Sequence, residues 1–271
     1  MAFIGLYVFF VTVHAGQNAD QLAYDGAQFG QRSVTPFTRR LLDSLPAVSA
    51  VLGFILTGGI ALLRRNWRTL LVALSVGAAA VLSVQLLKYG VLQRPDLGVP
   101  GYAGNSFPSG HTSVAAASAL VVFLVSAPRM RPMMAVGGTL FAVLAGVATL
   151  ANQWHRPSDV IASFLCVAFW GCIGGAVLAW TAPGARAAIR SPTVRPGLGM
   201  PPRRASAFIR LLRVLLVPFA VLAGVALAAT FLFSLGESAN LLVAYVGGVT
   251  AIVTSGLLIA LCGTQLFSRM P

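Results

Sequence analysis

The sequence predicts an all-α protein, a polytopic membrane helical bundle in which a six-span core precedes two C-terminal spans. Composition is the first reason, because the 271-residue chain is 57% hydrophobic and only 9% charged. The mean hydropathy of +0.84 is the second. A soluble domain of this composition would have too few polar side chains to cover its surface. Third, the apolar runs approach the roughly 20 residues that a helix needs to cross a bilayer.

Eight apolar runs are predicted to be spans, near residues 2–14, 45–63, 69–87, 111–127, 133–151, 159–181, 209–234 and 240–262. The first is short, since a helix of about 14 residues rises only about 21 Å against a hydrocarbon core of about 30 Å. We expect it to lie tilted in the interface, or to begin upstream of Met1. A basic, proline-rich stretch at 182–208 predicts a cytoplasmic linker between the core (1–181) and a two-span tail (209–271).

The net charge of +13 would suggest a nucleic-acid partner in a soluble protein. Here topology explains the charge, because cytoplasmic loops collect Lys and Arg. Thirteen of the 19 cations lie on the side reached after the second, fourth and sixth runs and at the C-terminus, and all six acids lie on the other side. We therefore expect both termini in the cytoplasm and loops 15–44, 88–110, 152–158 and 235–239 outside. The charges of the first outer loop are predicted to be solvated, within reach of a site: Asp20, Asp25, Asp43, Arg32, Arg39 and Arg40.

Three polar clusters fall in the outward loops beside span ends. They are Lys88 with Arg94-Pro95, then Pro108-Ser109-Gly110-His111, then His155-Arg156-Pro157-Ser158-Asp159. Each alone has an ordinary explanation, as a helix cap, a helix start with proline or a cation reaching the headgroups. The predicted topology brings all three to one membrane surface, and this convergence indicates a functional site. His14 stands alone at a span end and is predicted to be an interfacial residue.

In this order the clusters resemble the signature of the type 2 phosphatidic acid phosphatase superfamily, membrane lipid phosphatases related to vanadium haloperoxidases. That signature is Lys-x6-Arg-Pro, Pro-Ser-Gly-His and Ser-Arg-x5-His-x3-Asp. The first two motifs are interpreted as present in full, as is the His-x3-Asp half of the third, and the resemblance covers residues of about 45 to 180. It implies that His155 attacks phosphorus to form a phosphohistidine, with Asp159 holding its ring. It implies that His111 protonates the leaving lipid alcohol and then activates water.

Phosphate binding follows from the charge on a transferring phosphoryl group, which positioned cations and N–H groups stabilise. Lys88 and Arg94 are predicted to supply cations, and Ser109 and Gly110 an anion site at a helix start. The family's Ser-Arg pair falls on Ala148-Thr149, so one arginine is missing. Arg156 is predicted to supply that charge instead. No cofactor and no metal are expected, and the three cysteines are predicted to be core residues: Cys166, Cys172 and Cys262.

The function these observations favour is a lipid phosphate phosphatase of the bacterial inner membrane with an extracytoplasmic active site. Its expected substrates are a polyprenyl (di)phosphate or a phosphatidic acid-like lipid, and its expected partners are that lipid and the bilayer, with no nucleic acid. Two alternatives stay open: a phosphotransferase that uses the same phosphohistidine with another acceptor, and a non-enzymatic membrane scaffold or transporter component.

Overall fold

The computed structural model describes residues 1–31, 44–101, 104–181, 203–234 and 240–267, and in these ranges it contains helices and no strand. Helix α1 (Ala2–Tyr7) continues as a π-helical turn (Val8–Thr12), and α2 (His14–Asp25) and the short α3 (Gln28–Gln31) follow. The longer helices are α4 (Leu45–Arg64), α5 (Trp67–Leu86, continued by the π-helical Leu87–Val91), α6 (Gly110–Val125), α7 (Arg131–Ala151), α8 (Pro157–Trp180), α9 (Arg203–Ser234) and α10 (Leu241–Phe267). The all-α prediction is confirmed.

Six of the described helices are long and apolar enough to cross a membrane, namely α4, α5, α7, α8, α9 and α10. The fourth predicted span corresponds to α6, which is apolar but only 16 residues long. Helix α6 packs against α4, α5, α7 and α8, and most of its side chains are buried by these neighbours. The chain therefore forms a polytopic bundle around a short central helix.

The first predicted span is not a straight helix. The segment Ala2–Thr12 meets the following helical segment at an angle of 84°. The prediction that residues 15–31 form a solvated loop is also wrong, because α2 buries Gln17, Asp20 and Gln21. These polar residues share one helical face by their spacing, so α2 packs against polar partners rather than facing solvent. The remaining charges of the predicted loop, Arg32, Arg39, Arg40 and Asp43, lie outside the described residues.

Two close helix contacts position the start of α8, where the third motif lies. A Cβ on Gly146 of α7 would meet Val160 Cγ1 at 2.6 Å, and a Cβ on Gly248 of α10 would meet Pro157 Cγ at 2.6 Å. Glycine at both places lets the neighbouring helices approach α8 closely. The C-terminal helix α10 is thus part of the packing around the site, since it also contacts α2 and α7.

Two boundaries differ from the sequence predictions at the other end of the bundle. Helix α9 begins at Arg203, so residues 203–208 of the predicted linker are helical, directly after Pro201-Pro202. Cys166 is buried as expected, but Cys172 and Cys262 are exposed. Apolar neighbours in sequence do not imply burial here, because the outer face of a membrane helix is apolar as well.

Candidate active site

The second and third motifs meet where α6 and α8 begin. The Ser109 N–H donates to the Asp159 carbonyl at 3.0 Å, and the Ser163 hydroxyl donates to the Ser109 carbonyl at 2.7 Å. The Ser109 side chain also caps α6 by accepting from the Thr112 N–H at 3.3 Å. Gly110 is the first residue of α6. These bonds fix the N-termini of the two helices side by side, with their first N–H groups at the same end of the bundle.

His155 lies against Asp159, as the His-x3-Asp spacing predicts. The His155 Nδ1 and the Asp159 Oδ2 are 3.4 Å apart, and the side chain of Asp159 is completely buried. The backbone N–H of His155 donates to the carbonyl of Thr149 at 3.3 Å, which ties the turn to the end of α7. With Nδ1 at the carboxylate, Nε2 is the ring nitrogen that remains for another group.

His111 faces His155 across a narrow gap. Their ring centroids are 5.9 Å apart, with 60° between the ring planes. The ring centroid of Trp154 lies 5.1 Å from that of His111, with 39° between the ring planes. The structure therefore brings the two predicted catalytic histidines together, on the first turn of α6 and just before α8.

Both oxygens of Asp159 accept hydrogen bonds besides the histidine contact. The Ser106 hydroxyl donates to Oδ2 at 2.6 Å, and the backbone N–H of Arg156 donates to the same oxygen at 3.0 Å. The guanidinium of Arg94 donates to Oδ1 at 3.3 Å. A carboxylate held in this way has a fixed orientation, and it fixes the imidazole of His155 in turn.

Arg94 is directed at carboxylates in this structure. Its buried guanidinium lies 3.3 Å from Asp159 and 3.5 Å from Asp20, and it donates to the Phe10 carbonyl at 3.5 Å. A buried guanidinium requires such partners, because removing it from water is costly. The phosphate-binding role of Arg94 stays a prediction.

Arg156 lies within the same network, buried to 3% exposure. Its Nε donates to Gln21 Oε1 at 2.8 Å, and its Nη1 donates to the Ser106 hydroxyl at 2.9 Å. The ring of Tyr24 lies 5.3 Å from the guanidinium carbon. Thr149, where the family has arginine, is buried and donates to the Gly146 carbonyl at 2.8 Å. The guanidinium of Arg156 therefore joins the Asp159 network through Ser106, and its phosphate-binding role in place of position 149 stays a prediction.

Lys88 lies in the π-helical continuation of α5, with its ammonium 5.5 Å from the centroid of the Tyr89 ring. The prediction that the first motif is complete is wrong. Five residues separate Lys88 from Arg94, one fewer than in the family's Lys-x6-Arg-Pro pattern. The shift by one residue turns the lysine to a different direction around the helix. Its phosphate-binding role stays a prediction without a supporting contact.

Four residues of the site were not predicted from the sequence: Gln21, Tyr24, Ser106 and Trp154. Asp20 was predicted to be solvated within reach of a site, and it is instead buried within it. Asp20 accepts from both the N–H and the hydroxyl of Ser158, at 3.0 and 2.6 Å. A polar helical stripe in a very apolar chain was the available signal for the α2 residues. Among the described residues, no group of three or more His, Cys, Asp or Glu has an arrangement that could hold a metal ion.

The helices and this site together define an integral membrane protein with a histidine-based polar site at one end of the bundle. The sequence model of the PAP2 superfamily matches residues 47–184, about half of the chain, and the chain belongs to that superfamily. It is also 34% identical over 119 residues to a lipid A 1-phosphatase of Porphyromonas gingivalis. That alignment covers 43% of this chain and 24% of the relative, so the chain spans much less than the relative's full length. No solved structure matches the chain.

Proposed function

We propose that this protein is a membrane lipid phosphate phosphatase that works through a phosphohistidine. The observation that carries the proposal is the His155–Asp159 pair with His111 facing it, 5.9 Å from ring to ring. A nucleophile, an orienting carboxylate and a second proton-carrying group are the parts that covalent catalysis requires. Membership of the PAP2 superfamily supports the same reaction class.

In the proposed reaction, Nε2 of His155 attacks the terminal phosphorus and the P–N bond forms. The bond from this phosphorus to the leaving oxygen breaks, which is the lipid alcohol oxygen of a monophosphate or the bridging oxygen of a diphosphate. His111 gives its proton to the departing oxygen. His111 then takes a proton from water, whose oxygen attacks phosphorus and releases inorganic phosphate and the free histidine. Charge on the phosphoryl oxygens is balanced by Arg156 and by the N–H groups at the start of α6, with Lys88 and Arg94 as further cations.

The proposed substrate class is a lipid with a terminal phosphate or diphosphate, either a polyprenyl (di)phosphate or a phosphatidic acid-like lipid. The long apolar helices around the polar site support a substrate with a lipid tail, because a headgroup at the site would leave the tail in the bilayer. A cavity of about 400 Å³ with an almost wholly apolar wall lies farther along the bundle between α6, α7, α8 and α10, and none of the site residues lines it. The relative's name adds lipid A with a 1-phosphate to the lipids to be tested.

The proposed location is the inner membrane of a bacterium, with the site on the extracytoplasmic side. The charge distribution supports this orientation, because the arginine-rich turns after α4 and before α7 lie at the end opposite the site. Arg64 donates to the carbonyl of Val125 at 2.7 Å, which joins the far ends of α4 and α6. In cells, a membrane-impermeant maleimide should label a cysteine at Asp96 and not one at Arg129, with Cys172 and Cys262 replaced by serine. The reverse labelling would overturn the orientation.

Phosphate release by the purified protein in detergent tests the activity itself. The panel should contain undecaprenyl diphosphate, phosphatidic acid and lipid A, with and without EDTA. We expect the wild type to release inorganic phosphate from at least one lipid phosphate. The release should be absent in His155→Ala and unaffected by EDTA. Transfer of the phosphate to a second lipid without release would favour the phosphotransferase, and no turnover on any lipid would contradict an enzymatic function.

A further inference from the structure

Helix α2 contacts the first and third motifs of the candidate site, although it lies outside the region that the family model matches. Its side chains Gln17, Asp20 and Gln21 are each 2–3% exposed. The Gln17 amide donates to the carbonyl of Pro95 at 2.9 Å, and Asp20 binds Ser158 through two hydrogen bonds. Gln21 accepts from Arg156. Successive turns of α2 therefore attach to the first motif and to the start of α8.

We propose that α2 is a positioning element of the active site, in which Gln21 orients the guanidinium of Arg156 toward the phosphoryl group. The inference rests on the proposed function, because it assigns Arg156 to the phosphate. It explains how the chain accommodates a missing motif arginine: the replacement arginine comes from the neighbouring turn, and a separate helix supplies the groups that direct it.

The chemistry of the partners fixes the orientation of the Gln21 amide. Its Nε2 donates to Asp25 Oδ1 at 2.9 Å, one turn along α2, and its Oε1 accepts from Arg156 Nε at 2.8 Å. An ionised carboxylate only accepts hydrogen bonds and a guanidinium only donates them. Reversing the amide would break both bonds, so Asp25 holds the Gln21 oxygen on the side of Arg156.

Three contacts hold the guanidinium of Arg156. Gln21 binds Nε, Ser106 binds Nη1, and the ring of Tyr24 lies 5.3 Å from the guanidinium carbon. Among the described residues no group hydrogen-bonds to Nη2, so this nitrogen remains for a phosphate oxygen. Arginine is a strong phosphate ligand when its planar fork is held in place beforehand.

A double-mutant cycle between Gln21→Leu and Arg156→Ala tests the coupling. Leucine has a similar volume and cannot accept a hydrogen bond. We expect Gln21→Leu to lower kcat/KM by about tenfold in the wild-type background, as the loss of orientation predicts. In the Arg156→Ala background the same change should cost less than about twofold, because there is then no guanidinium to orient. An equal cost in both backgrounds would overturn the proposal.

Gln17→Leu is the matched control, since Gln17 lies one turn earlier on the same face of α2 and bonds to carbonyl oxygens of Val11 and Pro95. The loss of kcat/KM in Gln17→Leu should be the same in the wild-type and Arg156→Ala backgrounds. If Gln21→Leu does not fold, Asp25→Ala replaces it, because Asp25 is only half-buried and its loss frees the amide to rotate. Asp25→Ala should lower kcat/KM less than Gln21→Leu does, and this loss should vanish in the Arg156→Ala background. A loss that persists in that background would overturn the proposal.

Failure of the proposed function gives a different result. If the wild type releases phosphate from no lipid, the proposed function is wrong. The double-mutant cycle is then measured through the binding of inorganic phosphate. Phosphate should raise the unfolding temperature of the wild type in detergent, and Gln21→Leu and Arg156→Ala should reduce that shift without adding to each other. Additive reductions, or no phosphate-dependent shift in the wild type, would overturn the role of Gln21.

Discussion

Arginines occur at both ends of this bundle, and the two ends treat them differently. At the site end, Arg94 and Arg156 are 3–4% exposed and hydrogen-bond to Asp20, Asp159, Gln21 and Ser106. At the opposite end, Arg65, Arg68 and Arg129 are exposed. The acids of the described chain lie at the site end, so the exposed arginines have only solvent and lipid headgroups to meet.

The difference separates two uses of the same side chain. A buried guanidinium must be paired, and removing one partner of a buried pair typically costs about 3–5 kcal/mol. An ionic contact of an exposed guanidinium stabilises the protein by at most about 1 kcal/mol. The exposed arginines act mainly by setting the orientation of the chain in the membrane. Arg131 is intermediate, buried to 8% exposure with its guanidinium carbon 6.0 Å from the centre of the Phe267 ring. Substitutions at the two ends can therefore show whether catalysis depends on the site end alone.

The largest effect is expected for His155→Ala, which should abolish turnover because no other group is placed to form the covalent intermediate. His14→Ala is the matched control: His14 is exposed at the start of α2 and its loss should leave turnover unchanged. Phosphate release on one lipid substrate, with unfolding temperatures for both variants, measures the contrast. Near-normal turnover in His155→Ala would rule out the phosphohistidine.

His111→Ala should reduce turnover of a lipid phosphate by about 10²- to 10⁴-fold, the usual contribution of a general acid. The loss of turnover should be much smaller on p-nitrophenyl phosphate, because its leaving group departs without receiving a proton. Rates on the two substrates measure the difference. Equal losses on both would assign His111 to another role, such as phosphate binding.

Arg156→Ala should lower kcat/KM by about a hundredfold, the usual cost of about 3 kcal/mol for one charge-assisted donor to a transition state. Arg129→Ala, at the opposite end, should stay within about twofold. Thr149→Ala should also change little, since the Thr149 hydroxyl bonds to the Gly146 carbonyl within its own helix. Kinetics of the three variants on a short-chain lipid phosphate decide the matter. An Arg156→Ala enzyme within about threefold of wild type (about 0.7 kcal/mol) would remove Arg156 from the phosphate site.

Lys88→Met should have the smallest effect of the site-end changes, at most about tenfold and mainly in KM. Its ammonium lies over an exposed tyrosine ring and contributes long-range attraction for an anionic headgroup, which salt screens. Steady-state kinetics at low and high ionic strength measure this contribution. A loss as large as that of Arg156→Ala would show that the ammonium reaches the phosphate during turnover.

Much of this protein was predictable from the sequence, because hydropathy and short motifs are local properties. The span lengths predicted the all-α membrane bundle, and the spacing of His155 and Asp159 places both on one side of a helix start. Loop charges placed the three motifs at one end. The approach of His111 to His155 followed from that topology, since both precede or begin helices that start at the same surface.

Tertiary structure decided what local patterns do not encode. The sequence predicts a loop over residues 15–44, because a single polar helix among apolar runs resembles a solvated connection. Only tertiary packing buries the polar face of α2. Asp20 meets Ser158 across 138 positions of sequence, and Gln21 meets Arg156 across 135. No short-range pattern identifies such pairs, because burying a polar group is favourable only when a matching partner arrives from elsewhere in the fold.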